Sequence, residues 1–168
     1  AQPPPPSRRT RPGGGPARRR PVPLPPAVFD DSVEAAEHLV RVPGMALVVD
    51  GYNVSQAGWP EHAIAEQRRR LVDALAELAA RTGVDVRVVF DGSDVQMPGV
   101  VATTARRVRV SFSAPGVEAD DEVIELVEQL PPTRPVVVAS SDRRVQAGVA
   151  RAGANVISQE QLLAVLRR

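Results

Sequence analysis

MALVVDGYN, residues 45–53, is a continuous apolar run that stops abruptly on an acid and a glycine. A strand with one wet face alternates apolar and polar residues, whereas a strand covered on both faces is apolar at nearly every position. VDVRVVFD (84–91) and PVVVASSD (135–142) share this character and also end on aspartate. RRVRVSFS (106–113) alternates and reads as a strand between them, and NVIS (155–158) as a short fifth. Helical spacing fills the intervals. Residues 61–82 carry Ile64, Leu71, Leu75, Leu78 and Ala79 on one side and stop at Gly83. Residues 118–130 stop at Pro131-Pro132, residues 143–152 stop at Gly153, and residues 159–167 close the chain. Upstream, Asp30, Asp31 or Ser32 caps a short helix reaching about Arg41, ended by Pro43-Gly44. Strands alternating with helices predict an α/β fold in three layers, with a mostly parallel central sheet of about five strands and helices on both sides.

The organisation expected is a tail over residues 1–28, a short leading helix over 29–43 and the domain over 44–168. The tail holds most of the prolines, a Gly13-Gly14-Gly15 run and, in its first 20 residues, six arginines and no acid. Such a segment cannot bury enough apolar surface to offset its ordering entropy, so it reads as disordered, either a basic arm for nucleic acid or an inter-domain linker. All 21 basic residues are arginine, as in GC-rich genomes. There is no cysteine, which removes disulfides and thiolate metal sites and fits a reducing cytoplasm. No apolar run approaches the roughly 18 residues of a membrane span, and the N-terminus lacks the apolar core of a secretory signal.

In sheets of this kind the functional crevice lies beyond the carboxyl ends of the strands. Asp50, Asp91 and Asp142 end strands there, and Asp120 and Asp121 open a helix. Aspartate is a poor strand residue, and carboxylates converging on one crevice repel each other. A bound cation removes that cost, and hard oxygen donors suit Mg²⁺ or Mn²⁺. Zinc is disfavoured because His38 and His62 lie outside the strand ends. Asp50, Asp120 and Asp142 are therefore the expected core of a metal site. Plainer alternatives stand beside these, weakest for Asp50, where a buried strand runs straight into Asp-Gly: Asp91-Gly92 reads equally as a turn pair, Asp120 or Asp121 as a first-turn helix acid, and Asp142 as a helix cap. A phosphate-binding loop of the lysine-containing type is impossible without lysine, and neither a Gly-x-Gly-x-x-Gly after the first strand nor a Gly-x-Ser-x-Gly occurs.

LVVDGYN (47–53), VVFDG (88–92), Phe112-Ser113, Ala119-Asp120-Asp121 and SSDR (140–143), in this order, resemble the NYN-domain family. They look most like its YacP-like branch of PIN-like ribonucleases, over about residues 45–167. The resemblance implies a PIN-like, Rossmann-like fold and metal-dependent hydrolysis of RNA phosphodiesters with Mg²⁺ or Mn²⁺. It carries Asp50 and Asp120 over as the main metal carboxylates and Asp142 as a third. Asn53 corresponds to an asparagine that orients a ligand or water, and Asp121 to a position usually acidic. Actinobacterial members of the family are often described as RNA-binding proteins, so two functions stand open: an endoribonuclease, or an RNA-binding module with little or no catalysis. Ser141 and Arg143 are candidates for gripping RNA, and Tyr52 for stacking on a base, with packing on the sheet as its alternative. Arg68, Arg69 and Arg70 read either as a grip or as a solvated helix face, and Arg106 and Arg107 are further candidates. The partners expected are RNA and the ribosome or a larger RNA-processing assembly, in the cytoplasm and without a membrane.

Overall fold

The computed structural model describes residues 17–92, 99–101 and 108–168. Its elements are α1 (Val33–Val40), β1 (Ala46–Asp50), α2 (Gly51–Gly58), α3 (Ile64–Thr82), β2 (Asp85–Phe90), β3 (Gly99–Val101), β4 (Val108–Phe112), α4 (Ala119–Gln129), β5 (Val136–Ala139), α5 (Arg143–Arg151), β6 (Asn155–Ile157) and α6 (Gln159–Leu166). They form one six-stranded sheet in the order β3-β4-β2-β1-β5-β6. β4, β2, β1, β5 and β6 are mutually parallel, which are the five strands expected, and β3 pairs antiparallel on the edge of β4. β3 was not anticipated, nor was α2. The latter begins directly on Asp50 and contains glycine, asparagine and serine, all weak helix formers, so packing rather than propensity holds it.

Side-chain alternation along the strands divides the interior in two. Leu47, Val49, Val88, Phe90, Val137 and Ala139 face the layer of α1, α2, α3 and α6, where Leu71, Leu75 and Leu78 of α3 are fully buried. Ala46, Val48, Val89, Val136 and Val138 face α4 and α5, against Val123, Val127, Val145 and Val149. The parity matters for the site: Asp50 falls on the same face as Ala46 and Val48, the face of α4. The chain winds from β1 to β2 to β4 on one side and returns across to β5 and β6 on the other. The direction therefore reverses between β1 and β5, and a crevice opens at the carboxyl ends of these two strands.

The sequence reading of residues 1–28 as a disordered tail lies, for residues 1–16, outside the described residues. Residues 17–24 depart from it, because they are docked. Arg19 is buried and donates to five carbonyls: Arg134 O at 3.0 Å, Val127 O at 2.9 Å, Leu130 O at 2.9 Å, Pro131 O at 3.2 Å and Ala152 O at 3.3 Å. Several of these are the orphan acceptors at the C-terminal ends of α4 and α5, where the helix dipoles favour a cation. Asn155 adds a reciprocal pair, accepting from Val22 N at 2.8 Å and donating to Val22 O at 2.9 Å. Gly153, at φ +84°, permits the approach, since a Cβ there meets Arg19 O at 2.1 Å. Composition does not reveal this, because the segment is held by one arginine satisfying five acceptors together with Val22 and Leu24 packed on the core.

Candidate active site

A cleft of about 510 Å³ at the carboxyl end of the sheet is lined by Asp50, Tyr52, Asn53, Gln56, Asp91, Glu118, Ala119, Asp120 and Asp142. The fold places these side chains in one place from four segments. β1 delivers Asp50, and α2 starts so tightly behind it that residue 51 must be glycine: a Cβ there meets the Phe90 ring at 2.4 Å and Val89 O at 2.8 Å. β2 runs out into Asp91, followed by Gly92, whose N–H donates to Ser113 Oγ at 3.0 Å and whose Cβ position is taken up by Ser113 O at 1.9 Å. The Asp-Gly pair is thus a close-packed corner that also puts Asp91 on the cleft wall. α4 presents Asp120 from its first turn, and Asp142 stands at the N-terminus of α5. The amino ends of α2, α4 and α5 all abut the cleft, and their dipoles offset part of the carboxylate repulsion.

Asp50 is only 6 % exposed. Burial pushes its carboxyl up to about 6, the hydrogen bond from Ser140 opposes the rise, and the charges of Asp120 and Asp142 add to it. Asp120 is raised as well, by burial first and then by Asp142, with Arg144 pulling the other way. These couplings show that the three aspartates named from the sequence face one another electrostatically. Among the described residues, however, no set of three or more His, Cys, Asp or Glu side chains is already arranged to hold a metal ion. Asp142 explains part of it, because its Oδ1 caps α5, accepting from Arg144 N at 2.8 Å and Val145 N at 3.3 Å. The helix-cap alternative for Asp142 is therefore real, and the residue serves the cap and the cleft together.

Ser140, which the sequence reading passed over, is the organiser. It is fully buried, donates from Oγ to Asp50 Oδ2 at 2.9 Å and accepts at Oγ from Asp142 N at 3.1 Å. The signal was available in the register: Val49 pairs with Ala139, so one step further Asp50 lies beside Ser140 on the same face. Ser141 points elsewhere. Its N–H donates to Asn53 Oδ1 at 2.9 Å, and its hydroxyl bonds Glu160 and Gln159 at the start of α6. It fixes Asn53 and does not line the cleft, which leaves Asn53 Nδ2 as that side chain's donor.

The arginines also sort differently from expectation. The Arg143 side chain is exposed and does not line the cleft. Arg144 instead reaches the acidic rim, with Nη2 to Asp121 Oδ1 at 2.5 Å, Nη1 to Glu118 Oε2 at 3.0 Å and Nη1 to Asp120 Oδ2 at 3.9 Å. Asp121 is thereby held on the rim rather than among the cleft-lining acids. On α3, Arg69 and Arg70 pair with Glu66, as a solvated face does. Arg68 turns inward and donates to Tyr52 Oη at 2.8 Å. Tyr52 packs its ring on Phe90, with centroids 4.9 Å apart, while still lining the cleft. Arg106 and Arg107 lie outside the described residues.

The donors present are carboxylates, the amides of Asn53 and Gln56 and the Tyr52 hydroxyl, hard oxygen chemistry that matches Mg²⁺ or Mn²⁺ and not softer ions. Two of the carboxylates are held above their usual range, as groups that a cation would relieve. Among the described residues no helix is long and apolar enough to cross a membrane.

Comparison with known proteins agrees with this architecture. No curated protein matches the chain. The crystal structure of Rae1 (YacP) from Bacillus subtilis superposes with a TM-score of 0.60 at 31% identity, covering 73% of this chain and 73% of that one. A mutant form of the same Bacillus subtilis protein gives a TM-score of 0.61 at 29% identity, covering 73% of this chain and 74% of that one. The YacP-like NYN domain matches residues 47–168, the whole stretch that builds the parallel sheet and its acidic cleft, and the chain belongs to that family, with its PIN-like fold.

Proposed function

We propose that this protein is a divalent-metal-dependent endoribonuclease that hydrolyses RNA phosphodiester bonds in the cleft of Asp50, Asp120 and Asp142. The observation that carries the reading is the convergence of Asp50, Asp91, Asp120 and Asp142 on one crevice of a PIN-like fold in a member of the YacP-like NYN family. Asp50 and Asp120 would hold Mg²⁺ or Mn²⁺, with Asp142 Oδ2, the oxygen outside the helix cap, as the third donor. Bound there, the ion supplies an activated water and neutralises charge on the scissile phosphate. The chain's own residues do the rest. Ser140 orients the Asp50 carboxylate, and Ser141 N–H orients Asn53 so that its Nδ2 faces a phosphate oxygen or water. The amino ends of α2, α4 and α5 favour an anionic substrate.

A second reading, an RNA-binding module with little or no catalysis, is favoured by one observation: no three-carboxylate ligand set stands ready-made among the described residues. The two separate in one assay. Purified protein is incubated with structured and single-stranded RNA in Mn²⁺, Mg²⁺ or EDTA. The expected result is cleavage with either metal that EDTA and Asp50→Asn abolish. Cleavage that survives both sinks the metal mechanism, and tight binding with no cleavage of any RNA establishes the second reading.

A further inference from the structure

Without a bound cation, the carboxylates of the cleft repel phosphate against the pull of the helix amino ends. Further affinity would come from a second surface, and one lies at the same end of the sheet, where β2 and β4 end on Phe90 and Phe112. Between α3 and β4 lies a predominantly apolar groove of about 290 Å³, lined among others by Arg68, Val72, Phe90, Val110 and Phe112. The chain has five aromatic residues, one Trp, one Tyr and three Phe. Three of them form one row: Tyr52 on Phe90 at 4.9 Å, and Phe90 stacked with Phe112 at 5.7 Å and 30°. The row begins in the acidic cleft at Tyr52 and ends in the groove at Phe112. Arg68 spans the junction, with its guanidinium on Tyr52 Oη and its Cζ 5.8 Å from the Phe112 centroid. Unlike Arg69 and Arg70, it makes no ion pair among the described residues.

We propose that this groove binds one unpaired nucleobase of the RNA whose backbone lies in the acidic cleft. Phe112 is the stacking surface, and Arg68 is the cation between base and phosphate. The inference rests on the ribonuclease reading for the position of the backbone. Its chemistry is independent of that reading: a flat ring system is matched by an aromatic face beside a planar cation, and such stacking tolerates any base. A groove of this size admits one ring system and not a helix. The row of rings that links it to the cleft, from Phe112 through the buried Phe90 to Tyr52, favours a nucleotide over an unrelated apolar ligand.

The test uses the full chain and a fluorescein-labelled single-stranded RNA, with Ca²⁺ in place of Mg²⁺, read by anisotropy. A second oligonucleotide carries abasic sites. Phe112→Leu keeps bulk and removes the π face, and Arg68→Gln leaves the core untouched; thermal unfolding verifies that both fold. Each variant is expected to weaken binding by roughly 5- to 100-fold. The abasic RNA should bind the wild type as weakly as intact RNA binds Phe112→Leu, and should be insensitive to that substitution. Wild-type affinity in both folded variants overturns the proposal, as does abasic RNA binding as tightly as intact RNA. Loss of self-association in Phe112→Leu at unchanged RNA affinity also overturns it, in favour of a contact between copies. Phe112-dependent binding without cleavage in Mg²⁺ or Mn²⁺ leaves the groove standing and removes the ribonuclease reading. Cleavage with unchanged kcat/KM in both variants does the reverse, and a wild type that binds no RNA removes both.

Discussion

Asp50→Asn isolates the electrostatic cost of the cleft. The wild-type carboxyl is raised from 3.8 to about 6 in the folded protein, chiefly by burial. The fold therefore prefers the neutral acid. Well below pH 4 the group is protonated both folded and unfolded, and contributes nothing to the pH dependence. As pH rises from about 4 to 6 the unfolded chain releases the proton first, and stability falls; above about 7 the penalty is complete. A rise from 3.8 to about 6, at about 1.4 kcal/mol per tenfold change in proton affinity, sets that penalty at up to roughly 3 kcal/mol. Asparagine keeps an oxygen for the Ser140 hydroxyl and removes the charge. In EDTA at pH 8, Asp50→Asn should be more stable than wild type by about 2–3 kcal/mol, or roughly 4–10 °C in Tm for a chain of this size. At pH 4 only a small fraction of that difference should remain. Addition of Mn²⁺ should raise the wild-type Tm and leave the variant nearly unmoved. Urea denaturation across pH 4–8, with thermal melts for the metal arm, reads all three outcomes. Parallel pH profiles for the two proteins, or a variant less stable than wild type at pH 8, would refute the claim that Asp50 is an ionised group held at a cost.

Three further outcomes test the parts that build the site. Ser140→Ala should raise the Asp50 pKa further, because the lost hydrogen bond is the interaction that lowers it. It should cost about 1–3 kcal/mol at neutral pH, checked by NMR titration and urea denaturation. Gly51→Ala places a methyl 2.4 Å from the Phe90 ring and should destabilise by about 1–3 kcal/mol, with aromatic NMR shifts at Phe90 and Tyr52 showing where the strain goes. Arg19→Met removes five hydrogen bonds at the ends of α4 and α5 and should cost about 2–3 kcal/mol. Hydrogen exchange at Val22 should accelerate, while the RNA cleavage proposed for the opposite end of the sheet should be unchanged.

Much of this protein is decided by local pattern. The run 45–50, apolar at every position before Asp50, is apolar because both faces of β1 are covered, and that alone specifies a central parallel strand. The order of the helices followed from periodicity and from stops such as Gly83 and Pro131. The segments that resisted were those whose structure is not made locally. β3 is three residues on an edge, and α2 lacks helix-forming residues. The strap at residues 17–24 is ordered by carbonyls more than 100 positions away in the chain, bound by Arg19.

The acidic site divides along the same line. That Asp50, Asp120 and Asp142 gather at the carboxyl ends of the strands is legible in the chain alone, because strand alternation and chain direction put them there. So is the kinship with the NYN domains, through short motifs whose glycines are dictated by contacts under 3 Å. The neighbours that act on these aspartates emerge only when the layers are packed together. Ser140 and not Ser141 holds Asp50, Arg144 and not Arg143 meets the acids, and Arg68 alone of its triplet turns toward Tyr52. Residues adjacent in sequence differ here because one position along a strand or a helix turns a side chain to another face. Which face meets a partner is set by elements far away in the chain.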